Sequence, residues 1–110
     1  MKKLSKADVL RIVRELHANL DVVYGDRLKG VYLYGSYARG DAREDSDIDV
    51  AVVLTGPVKR SEELKRTKAF IPDMCITENC LIMPLFLSEM EFKAKSLDIV
   101  QFIAEEGIPV

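Results

Sequence analysis

Two aspartates one residue apart, Asp47 and Asp49, stand at the mouth of an apolar run from Ile48 to Leu54. Just upstream a shorter apolar run, Val31-Tyr32-Leu33-Tyr34, breaks at Gly35-Ser36. The spacing predicts a strand, a glycine turn, a short helix, a polar loop and a second strand. Gly35 reaches backbone angles that a residue with a Cβ resists, so the chain turns sharply there and leaves its N–H groups open. With Ser36 starting a helical turn, the free N–H groups and the hydroxyl make a seat for phosphate.

Side chains alternate along a strand, so Asp47 and Asp49 share a face with Cα atoms roughly 6.6 Å apart. Two carboxylates at that spacing repel by about 2–3 kcal/mol at an effective dielectric near 20. One account makes them merely a cap and a surface residue at a strand start. The other gives them a divalent cation, the simplest relief for the repulsion. Magnesium suits such a pair, because it accepts one or two carboxylates and fills its other positions with water and substrate phosphate. The run Val50-Ala51-Val52-Val53-Leu54 is apolar on both alternating faces, which predicts a central, covered strand holding the acids rigidly.

Gly35-Ser36-x-x-x-Gly40 followed by Ser46-Asp47-Ile48-Asp49 resembles the signature of the DNA polymerase β-type nucleotidyltransferase superfamily. The wording GSYARG…SDIDVAV is most similar to its minimal nucleotidyltransferase (MNT) branch. The resemblance implies a small mixed sheet flanked by helices. It implies two magnesium ions on Asp47 and Asp49, ATP as substrate, and β- and γ-phosphates held at Gly35 and Ser36. It also implies a HEPN-type partner protein, whose tyrosine would receive AMP as in a toxin–antitoxin pair. Arg39 and Arg43 are each within reach of a triphosphate, where a guanidinium matches two oxygens at once. The superfamily usually supplies a third carboxylate from a later strand. The third strand here reads CLIMPLFL, without an acid, and Asn79 cannot serve as a base. Glu78, with Asp73 just upstream of that strand, is the candidate for the role.

The rest of the chain frames this stretch. Its 110 residues make one domain, 1–110, with a single core; 48% apolar and 31% charged residues are ordinary for a globular protein. The formal charge of −2 gives no basic footprint and argues against a nonspecific grip on nucleic acid. No apolar stretch is long enough to span a bilayer, and MKKLSKADVL leads straight into a charged helical pattern, so a cytoplasmic protein is expected. Cys75 and Cys80 are spaced too widely for a redox pair and lack histidines for zinc; they read as buried, reduced thiols. Tyr37 reads as packing, with nucleobase stacking as the alternative, and His17, the one histidine, as a solvated helix position.

Along the chain, Ser5 and Asp8 fit a capping box opening a helix that ends at Tyr24-Gly25, and residues 26–30 read as a connecting turn. A second helix opens at Ser61 and restarts at Pro72. Cys80 to Leu87 is the third strand, with Pro84 marking either an edge or a pause in it. Ser88 and Glu91 form another capping box, and Ser96 caps a final helix with Leu97, Val100, Phe102 and Ile103 as its apolar side, stopped by Gly107. The layout is α-β-turn-β-α-β-α. Three functions fit it: nucleotidyl transfer to a partner protein, a non-catalytic antitoxin that binds its partner by contact, and transfer to a small molecule.

Overall fold

The computed structural model describes residues 4–95 and 97–110. Nineteen residues of α1, Lys6–Tyr24, bury Val9, Ile12, Val13, Leu16 and Leu20 along one stripe. Ser5 caps α1 through its Oγ, which accepts from the Asp8 N–H at 3.1 Å. Only that half of the expected box forms among the described hydrogen bonds. Gly25, at φ 53°, ends the helix. The segment read as a connecting turn is largely strand: β1 runs Leu28–Tyr34, with a bulge between Leu28 and Gly30.

One turn of helix, α2 (Ser36–Arg39), follows β1, and β2 (Ile48–Leu54) comes back antiparallel to it. The anticipated second helix is two, α3 (Arg60–Thr67) and α4 (Ile71–Glu78), with Pro72 in the first turn of α4, where its missing N–H has no helical partner to lose. From α4 the chain enters β3 (Ile82–Ser88), parallel to β2. The Ser88–Glu91 capping box then opens α5 (Glu89–Ala94), and α6 spans Asp98–Glu106. The expectation that Ser96 caps α6 lies outside the described residues. A fourth strand, β4 (Ile108–Pro109), joins the free side of β1, giving the order β3-β2-β1-β4.

Alternation sorts the sheet's two faces. Val31, Leu33, Ile48, Val50, Val52, Leu54, Ile82 and Phe86 pack with α1 and α4. Ala51 and Leu87, with Tyr32, Tyr34 and Leu85, meet Val100 and Ile103 of α6 and Phe92 of α5. Asp49 lies between Ile48 and Val50 in β2, so it belongs to this α5–α6 face. Cys80 is buried and Cys75 half-buried, both as free thiols.

Three expectations about single positions gain detail or change. Gly107 ends α6 as expected, in an extended conformation at φ −67°; a Cβ there would strike the Ile103 carbonyl. Leu97 and Phe102 do not join the core, being 40% and 56% exposed. His17 is half-buried with Nδ1 2.7 Å from the Val110 carbonyl. A carbonyl only accepts, so Nδ1 carries the proton and ties α1 to the segment after β4. No helix among the described residues is long and apolar enough to cross a membrane.

Candidate active site

Gly35 joins β1 to α2 at φ 78°, ψ −156°, a conformation in effect reserved for glycine. Its bareness serves a second purpose. The Asp49 carboxylate rests where a Gly35 Cβ would be, so Oδ2 sits directly against the turn. The N–H groups of Ala38 and Arg39 donate to the Gly35 carbonyl. Those of Ser36 and Tyr37 precede the helical ladder and have no partner within α2. A four-residue helix has little macrodipole, so an anion here would meet these individual donors and the Ser36 hydroxyl. Tyr37 is buried and packs; its hydroxyl accepts from the Leu4 N–H at 3.4 Å.

Asp47 lies immediately before β2 and Asp49 is the second residue of the strand. The loop ahead of them is closed by Ser46, whose Oγ accepts from the Arg43 N–H at 2.7 Å while its own N–H donates to the Arg43 carbonyl at 3.0 Å. Burial and then the charge of Asp47 raise the Asp49 carboxyl above its ordinary 3.8, against the pull of Arg39. The neighbouring Tyr34 hydroxyl, opposite Asp49 in register, is pushed up to about 12 by burial and by that carboxylate. Both shifts report negative charge held in a partly desolvated corner. An all-oxygen pair of acids in mutual repulsion fits a hard divalent cation with water and phosphate completing its shell. Among the described residues no three acidic, histidine or cysteine side chains converge at metal-binding distance.

Arg39 stands at the far end of α2. Its Nε donates to Asp41 Oδ2 at 3.3 Å and its Nη1 to Glu106 Oε1 at 3.1 Å. Gly35, Ser36, Arg39 and Asp49 thus meet Glu106 around one open cavity of about 580 Å³, whose remaining wall is Tyr34, Ile99 and Phe102. An apolar groove of similar size, about 560 Å³, runs between α3, α4 and β3, but no set of polar groups converges there.

Asp47 does not itself line this cavity and meets it through its charge on Asp49. Two other candidates lie elsewhere. Arg43 is in the exposed loop and does not line the cavity. Glu78 sits on the α1 side, where both its oxygens accept from Arg11, at 3.2 and 2.9 Å. The β3 position in register with Asp49 is Met83, and Leu85 shares its face. No β3 acid therefore reaches Asp49. Glu106 and Ile99 carry no expectation from the sequence and Phe102 only that of an apolar helix face; their i, i+3, i+7 spacing puts the three on one side of α6 without telling a core from a cavity.

Residues 8–107 match the family described as the nucleotidyltransferase domain. The chain belongs to that family. Among its relatives is a candidate protein adenylyltransferase of Methanocaldococcus jannaschii, MJ0141, 36% identical over 64 residues, or 58% of this chain and 61% of that protein. Another, MJ1305 of the same organism, is 30% identical over 76 residues, 68% of this chain and 52% of the relative. The chain thus spans about half to three-fifths of these relatives, 61% and 52%. A crystal structure of a candidate nucleotidyltransferase from Sulfolobus solfataricus superposes with a TM-score of 0.64 at 22% identity, covering 99% of this chain and 89% of that one. A toxin–antitoxin complex with AMP-PNP does so at 0.60 and 17%, covering 96% and 72%. A further neighbour is the toxin–antitoxin MntA-HpeT, at TM-score 0.57 and 16% identity, covering 96% and 72%. At these identities the likeness is one of fold. The mixed sheet flanked by helices is the nucleotidyltransferase arrangement.

Proposed function

We propose that this nucleotidyltransferase-family chain moves AMP from ATP, with magnesium, onto a hydroxyl of a partner protein. One observation carries the reading: the Asp49 carboxylate rests on the Gly35–Ser36 turn, with Arg39 across the same cavity. In the reaction an acceptor oxygen bonds to the α-phosphorus as the bond to the β-phosphate oxygen breaks and pyrophosphate departs. Almost all the catalysis is positioning and electrostatics. Ser36 and the open N–H groups of the turn bind the β- and γ-phosphates. Arg39 steadies the departing pyrophosphate after exchanging Glu106 for phosphate oxygens. Asp47 and Asp49 would hold one or two magnesium ions, which neutralise charge on the attacking and leaving oxygens when bound. The partner is inferred from the candidate protein adenylyltransferases among the relatives and from the toxin–antitoxin complexes among the fold neighbours. A HEPN-type protein is the first to try.

A second reading has its own support. The β3 positions on the site's face are Met83 and Leu85, so the family's usual third carboxylate is missing from that strand. A chain of this kind would neutralise its partner by contact alone. Incubation with ATP, magnesium and a co-expressed HEPN-type neighbour separates the two, read by mass spectrometry for an added AMP. The transfer reading requires modification that falls at least a hundredfold with Asp49→Ala. Absence of modification alongside an undiminished complex with Asp49→Ala would favour the binder.

A further inference from the structure

The nine residues of α6 carry two different apolar stripes. Val100 and Ile103 are buried against Ala51 and Leu87 and account for the helix's attachment to the sheet. Ile99 and Phe102 are 37% and 56% exposed, and with Glu106 they line the cavity that holds Asp49, Ser36 and Arg39. Packing does not explain the second stripe. On the same side of the sheet Phe92 is stacked on Tyr32, ring centroids 5.0 Å apart, whereas Phe102 has no aromatic partner among the described residues.

The cavity is polarised along α6. Glu106, paired with Arg39, marks the phosphate end. At 1.5 Å rise per residue, Ile99 lies roughly 10 Å from it along the helix axis, with Phe102 between. A charged end, an apolar wall and a volume of about 580 Å³ are the features of a pocket for a ligand that is anionic at one end and flat and apolar at the other. We propose that the Ile99–Phe102 face of α6 is the seat of the nucleoside half of the triphosphate, with Phe102 stacking on the base. This rests on the nucleotidyl-transfer reading and adds to it the residues that distinguish a nucleotide from a bare polyphosphate. Every base has a π-face, so such a wall selects for a nucleoside without itself choosing among bases.

Calorimetric titration of the full chain with ATP and with inorganic tripolyphosphate, both with magnesium, tests the assignment. Phe102 is exposed, and circular dichroism establishes that its variants keep the fold. Phe102→Ala weakens ATP binding by about five- to a hundredfold, the range that loss of one base–aromatic stack corresponds to. Tripolyphosphate affinity stays at the wild-type value, and Phe102→Tyr restores ATP binding. Unchanged ATP affinity in Phe102→Ala overturns the proposal, and so does an equal loss for both ligands. If ATP affinity is kept and only modification of the partner falls, the stripe receives the acceptor and the nucleoside assignment is wrong. Wild-type protein that binds neither ligand refutes the triphosphate reading itself and the seat with it. Wild-type binding of tripolyphosphate alongside an unchanged ATP affinity in Phe102→Ala refutes the seat only.

Discussion

Asp49 is placed where ionisation costs the fold something. Its carboxyl is raised above 3.8 by burial and by Asp47, so the folded chain holds the proton more tightly than the unfolded chain does. The stability this group contributes is therefore present below 3.8 and is lost as pH climbs from there through the raised value of the folded chain. Replacing the acid by its neutral isostere removes that cost. Metal-free Asp49→Asn is expected to melt above wild type at pH 7, with the difference vanishing below about pH 3.8; paired thermal melts at the two pH values check it, and a lower melting point at pH 7 contradicts the account. A group that opposes stability is what the proposed catalytic role of Asp49 would leave in the resting fold. Gly35, Ser36, Asp47 and Asp49 were legible in the sequence because they lie within fifteen residues and depend on local geometry: a turn and a strand start. Glu78 was not, because its fate rests on Arg11, 67 residues away, and on which side of the sheet α4 packs. Arg39 lies near the turn simply because it ends α2, but its resting partner Glu106, also 67 residues distant, has no local signal.

At the level of elements, β3 gives the plainest case of a strand whose sequence anticipated its position. Pro84 fits an edge or a pause, and β3 is the unbroken outer strand beside β2. The Leu81 carbonyl accepts from Ile48, so odd-numbered residues face β2 and Ile82, Pro84, Phe86 and Ser88 turn their backbone outward. That outward row is nearly spent. The Ile82 N–H donates to Cys75 Sγ at 3.4 Å, Pro84 has no N–H, and the Ser88 N–H donates to Glu91 at 3.0 Å. Phe86 alone is left to offer an N–H, an edge blunted against pairing with another strand. Pro84→Val should consequently cost up to about 1 kcal/mol through the freer unfolded chain. It gains nothing, because the new N–H points away from β2. A urea midpoint above wild type would mean that the N–H reaches the β2 ladder and the assigned parity is wrong. By contrast, β4 was invisible in the sequence, since two residues have no periodicity to read. The inner stripe of α6 was legible from spacing; its outer stripe was not, because Phe102 looks the same in a sequence whether it faces a core or a cavity.

Across the whole molecule, the cavity is assembled from parts that meet only after folding: the β1–α2 turn and the head of β2 on one side, and α6 on the other. In the resting chain the Arg39–Glu106 pair bridges those two sides, both members partly exposed at 47% and 24%, and an exposed pair of this kind is a weak fastening. On the proposed function, a nucleotide spanning the same gap would fasten it better, since it would bind the assembled cavity and nothing in the unfolded chain. Ligand at a hundred times its Kd adds about 2.7 kcal/mol to unfolding. For a domain of this size that raises the melting temperature by on the order of 10 °C. On the same proposal, magnesium would enter that gain through Asp47 and Asp49, because a cation in place would relieve their repulsion. Differential scanning fluorimetry with ATP alone, magnesium alone and both should therefore give a joint shift larger than the sum of the separate ones. In Asp47→Ala the excess should disappear while the shift with ATP alone is kept. An unchanged excess in that variant would assign the cation to other groups, and a joint shift no larger than the sum would separate metal from nucleotide altogether.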